Sequence, residues 1–199
     1  REAFPDFYDQ LDAATGLKAR LGFKAVVTGP ITYTGQAQVQ RDIANLKAAA
    51  DNAGVVDAFL PVVAPASALP EADDQQYDNE EARVFALAEA LRVEYRAIVD
   101  AGLIVQVDDA FLPYMYERMV PPGTLADYRK WAELRIDALN HALDGIPRDR
   151  ARYHVCWGSW NGPHMFDVPM KDIVDLLLKL NVGALLFENA NPRHEHEWR

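Results

Sequence analysis

Five short apolar, β-rich runs, at residues 24–28, 58–63, 103–107, 152–156 and 184–187, alternate with segments of helical spacing, and this alternation limits the chain to few folds. Each run is about one strand long and apolar nearly throughout, as a strand buried on both faces of a parallel sheet must be. Residues 79–101 and 125–143 repeat apolar side chains at intervals of three and four (Phe85, Leu87, Leu91, Ile98; Trp131, Leu134, Ile136, Leu139), so each has one face to bury. Parallel neighbours need a crossover, and a helix supplies it; strand alternating with helix predicts an α/β fold with a parallel sheet. Ala101-Gly102 and Gly145-Ile146-Pro147 stop two helices just ahead of the next strand.

The residues able to do chemistry gather at the carboxyl ends of the runs: Thr28-Gly29-Pro30, Pro65-Ala66-Ser67, Asp108-Asp109, His154 to Trp157 and Glu188-Asn189. A (β/α)8 TIM barrel keeps its active site at that end. A doubly wound sheet obeys a similar rule, but no Gly-x-Gly-x-x-Gly phosphate loop is present, which favours the barrel. A barrel takes eight strands and ~250 residues. With five runs in 199 residues, the expectation is that residues 1–199 are part of a single catalytic barrel domain, incomplete at both ends.

Thirty acidic against twenty basic residues leave a net charge of −10, a field that repels nucleic acid and anionic membranes and points to a small-molecule partner. One cysteine permits no internal disulfide, and no leader-like segment opens the chain, so the expected compartment is cytoplasmic. Apolar stretches such as 173–178, broken by Asp175, fall short of the ~20 residues that cross a bilayer.

His154-Val155-Cys156 puts an imidazole and a thiol two residues apart at a strand end, hence on one side of the strand. Glu188 ends the next run, and the Ala184-to-Phe187 residues before it suggest a deeply buried backbone. Nitrogen, sulfur and carboxylate oxygen together suit Zn2+, and three such ligands leave a position for a substrate atom. Taken alone, His-x-Cys also reads as a buried thiol beside a hydrogen-bonded imidazole. Of Asp108 and Asp109, one should face the pocket mouth while the other caps the following helix or turn. Thr28 offers a hydroxyl beside a tight backbone approach, or simply a βα turn. In the tail, Arg193 is the candidate for an anionic substrate group, and His194 and His196 read as members of an exposed loop.

In this order the segments resemble the cobalamin-independent methionine synthases, over essentially the whole chain. Val27-Thr28-Gly29-Pro30-Ile31-Thr32 is similar to that family's Thr-Gly-Pro segment, and Gln106-Val107-Asp108-Asp109 to its Gln-Ile-Asp-Glu strand. His154, Cys156 and Glu188 match its zinc ligands, the fourth being a second cysteine from a strand beyond Arg199. The resemblance implies that Asp108 meets the amino group of homocysteine. Asp109 stands where the family usually has Glu, and Ala110 where it has Pro. Residues 156–164 and 191–198 are closer to short single-barrel relatives, among them epoxyalkane:coenzyme M transferases.

The implied chemistry is zinc-dependent alkyl transfer to a small thiol. The leading expectation is methyl transfer from a methyltetrahydrofolate-type donor to homocysteine, giving methionine. The alternatives are coenzyme M thiolate opening an epoxide, and a catalytically silent zinc-binding relative. No general acid is identifiable.

Overall fold

A computed structural model describes residues 3–15, 25–69, 72–158, 162–188, 190 and 193–197. Helix α1 (Pro5–Thr15) leads to β1 (Ala25–Val27), α2 (Gln36–Ala53), β2 (Phe59–Val63) and the single turn α3 (Pro65–Ala68). There follow β3 (Ala72–Asp74), α4 (Glu80–Asp100), β4 (Ile104–Asp109), α5 (Phe111–Met119), α6 (Leu125–Leu143), β5 (Ala151–Val155), α7 (Val174–Leu177) and β6 (Ala184–Phe187). All five expected runs form strands; Lys24, at the start of the first, lies outside the described residues.

The strands form two parallel sheets, β1-β3 and β2-β4-β5-β6. This is the parallel α/β architecture that the alternation predicts. The larger sheet advances in one direction, without the reversal that creates a switch point in a doubly wound sheet. β3 escapes the sequence reading because Ala-Asp-Asp has no apolar run; pairing with β1, not burial, holds it.

The helices form where caps and periodicity agree. Asn79 accepts the Ala82 N–H to start α4, and Thr124 forms a reciprocal capping box with Asp127 to start α6. The buried seam of α4 is Val84, Ala88, Leu91, Tyr95 and Ile98, with Phe85 and Leu87 at its margin. α6 buries Tyr128, Ala132, Ile136, Leu139 and Leu143. Gly102 (φ 86°) and Gly145 (φ 80°) take the left-handed conformation that turns the chain out of each helix into its strand. The core lies between these helices and one sheet face, carrying Val62, Val105, Val107, Tyr153 and Val155. Buried tyrosines find backbone acceptors there: the Tyr95 hydroxyl donates to Val63 O at 2.6 Å and that of Tyr128 to Leu112 O at 2.8 Å.

Candidate functional site

The opposite face of the four-stranded sheet carries the candidate site residues of β4 and β5. Register pairs Val63 with Asp108, Asp108 with His154 and His154 with Leu186, and side chains alternate between faces along each strand. Burial along 151–157 shows the alternation directly: Ala151, Tyr153, Val155 and Trp157 are buried, while Arg152, His154 and Cys156 are half-exposed on the other side. The Cys156 N–H donates to Asp109 O at 3.2 Å, carrying the β4–β5 ladder one residue further. The last β5–β6 pair is Val155 with Phe187, so Cys156 and Glu188 come next on their strands. Asp108, His154, Cys156 and Glu188 therefore share a face at the carboxyl ends.

His154 Nδ1 lies 3.1 Å from Asp108 Oδ1. A carboxylate accepts and does not donate, so Nδ1 carries the proton, and in the neutral ring the lone pair is then on Nε2. Metal-binding histidines are commonly held this way, by a carboxylate on the far nitrogen. Cys156 Sγ accepts the Gly158 N–H at 3.2 Å. Burial pushes the Cys156 thiol up; the Gly158 N–H opposes this, Glu188 and Asp108 reinforce it, and Arg193 draws it down. These influences put both carboxylates and the Arg193 guanidinium in the electrostatic surroundings of the sulfur. The donor types and the freed Nε2 fit zinc. Among the described residues, however, no group of three His, Cys, Asp or Glu side chains converges closely enough to hold a metal.

The two aspartates divide as the sequence suggested. Asp109 points into the helix side at 2 % exposure, where Oδ1 accepts from Ser67 Oγ (2.7 Å) and Leu112 N–H (3.0 Å) and Oδ2 from the Tyr153 hydroxyl (2.9 Å). Burial raises its pKa against the pull of those donors. Asp108 faces the other way, bordering an open cleft of about 500 Å³ whose walls include Pro61, Val63, Ala110 and Phe111.

Several expectations need correction. Glu188 and its strand are not deeply buried: Ala184, Phe187 and Glu188 are exposed, because β6 is the outer strand of its sheet. Thr28 is exposed at the end of β1, in the two-stranded sheet, so it shares neither sheet nor register with His154. His194 is not an exposed loop residue. It is 4 % exposed, stacked on Trp157 at 4.1 Å, with Nε2 3.1 Å from Asp167 and Nδ1 2.8 Å from Glu197. Arg193, next to it, stands 4.0 Å from Asp167; His196 is exposed as expected. Trp160, Asn189, Asn191, Pro192 and Trp198 lie outside the described residues. Sequence reasoning passed over Gln106 and Arg152, which lie on the same face below Asp108 and His154; a charged residue inside an apolar run was the available signal.

No known family model matches the chain. The chain is similar to an enzyme, the 2-hydroxypropyl-CoM lyase of Xanthobacter autotrophicus. The two are 31% identical over 91 residues, which is 45% of this chain and 20% of that enzyme. The match thus spans about a fifth of the relative's length. No helix among the described residues is long and apolar enough to cross a membrane.

Proposed function

We propose that the chain is part of a (β/α)8 barrel enzyme that adds an anionic thiol of the coenzyme M type to an epoxide, with zinc as cofactor. What supports this reading is register: Asp108, His154, Cys156 and Glu188 fall on one face at the carboxyl ends of strands that step in one direction, as the strands of a barrel do. The similarity to a 2-hydroxypropyl-CoM lyase favours this reading over methyl transfer to homocysteine, because cleavage of a 2-hydroxypropyl thioether is the reverse of thiol addition to an epoxide.

His154 through Nε2, Cys156 and Glu188 would hold the metal. Zinc supplies a centre at which a thiol sulfur is a thiolate at neutral pH. Asp108 keeps the imidazole oriented; its Oδ1 is already engaged by His154 and Gln106, which suits a holding role better than recognition of a substrate ammonium. Arg193 would attract the anionic head of the thiol. The apolar wall of Pro61, Val63 and Phe111 would receive the alkyl part of the epoxide. The sulfur forms a bond to an epoxide carbon, the C–O bond breaks, and the resulting alkoxide takes a proton to give a 2-hydroxyalkyl thioether.

The test uses the full-length protein with zinc. Coenzyme M with epoxypropane should yield the thioether, and homocysteine with methyltetrahydrofolate should yield no methionine. Methionine formation without coenzyme M turnover overturns the proposal, and zinc binding without either activity would identify a silent relative.

A further inference from the structure

Two strand residues below the carboxylate–imidazole pair lies a second polar layer that no catalytic step uses. Gln106 and Arg152 are cross-strand partners on the face that carries Asp108 and His154. The Arg152 Nε–H donates to Gln106 Oε1 at 2.7 Å, and Gln106 Nε2 donates to Asp108 Oδ1 at 2.8 Å. That same Oδ1 receives the His154 Nδ1–H. The Arg152 guanidinium lies 3.6 Å from the centre of the Phe59 ring, a cation–π contact that holds it in place.

The direction of every bond in this row follows from its two ends. A guanidinium donates only, a carboxylate accepts only, and an amide does one at each end. With Arg152 facing Oε1, Gln106 must turn its NH2 to Asp108; flipped, it would set donor against donor and acceptor against acceptor. At 8 % exposure, Gln106 has little water to relieve such a mismatch. We infer that Arg152 and Gln106 are positioning residues that hold Asp108 Oδ1 on His154 Nδ1 and so keep the His154 lone pair on Nε2. The inference rests on the reading of His154 as a metal ligand and extends it two residues further from the metal.

The experiment uses metal-free, full-length protein labelled with 15N-histidine. Long-range 1H–15N spectra report which ring nitrogen bears the proton, with His154→Gln assigning the signals. Wild type should show His154 protonated on Nδ1. Arg152→Met should shift population toward Nε2–H and weaken zinc binding, read by chelator competition, roughly three- to tenfold. That lies at or below the ~10–100-fold typical for loss of a direct partner of a metal ligand. Arg152→Lys, which still only donates, should restore both. If Arg152→Met does not fold, Gln106→Met removes the amide link and should give the same two changes. A wild-type ring protonated on Nε2, or variant spectra identical to wild type, overturns the inference. Zinc content separates the readings: zinc bound with the spectra unmoved sinks the positioning role alone, whereas absence of zinc sinks the metal reading while the spectra still judge the row.

Discussion

Asp108→Ala removes the acceptor on which His154 Nδ1 rests, and its cost can be estimated from the geometry. The contact is 3.1 Å long, between side chains that are 35% and 42% exposed. A charge-assisted hydrogen bond is worth ~1.5–3 kcal/mol when protected, and solvent at this exposure lowers that to ~1–2 kcal/mol. If the bond orients a metal ligand, its loss should weaken zinc binding about 5- to 30-fold. Asp108→Asn keeps an oxygen that can accept from both Gln106 and His154 and loses only the charge, roughly half of the effect, or about two- to fivefold. Titration of the metal-free full-length variants against a chromophoric chelator measures both. Asp108→Ala binding zinc within twofold of wild type would refute the holding role. So would Asn proving worse than Ala, because the order depends on the retained oxygen.

If wild type carries zinc as proposed, Cys156→Ser should lose it, by elemental analysis; full retention would remove Cys156 from the ligand set. Because burial raises the Cys156 thiol, metal uptake must expel a proton, so zinc affinity should climb as pH rises from 7 to 9; a flat profile argues against thiolate ligation. Asp109 has its pKa raised on folding, so the unfolded chain loses this proton first. Stability is greatest below the usual carboxylate value, falls as pH rises through the folded pKa and levels off above it; Asp109→Asn should flatten that part of the profile. Asp109→Ala also strands Tyr153 and Leu112 and should cost ~3–5 kcal/mol in denaturant unfolding. Arg193→Ala should raise KM for coenzyme M about tenfold while leaving that for an uncharged thiol unchanged; equal effects on both would exclude an anion-binding role.

Strand and helix positions were legible because they depend on local periods. The runs at 58–63 and 103–107 declare strands by composition alone, although the burial expected of both holds only for 103–107, since β2 leaves Phe59, Pro61 and Val63 exposed; 79–101 and 125–143 announce helices by spacing and caps. The same parity shows that His154 and Cys156 share a side, and the helix that follows Asp108-Asp109 demands an acceptor for its first N–H groups, which Asp109 provides. Cross-strand relations were not legible. Register is set by how separate strands dock, and one strand's period leaves every partner open. Tertiary structure alone places Asp108 opposite His154, turns Asp109 toward Tyr153, and stacks the Arg152–Gln106 pair beneath them. It also buries His194 against Trp157, although the surrounding Arg, Glu and His residues read as a solvated tail. Sequence determined which residues could do chemistry at the strand ends; packing determined which of them meet, because distance between strands is a property of the assembled sheet and of no single segment.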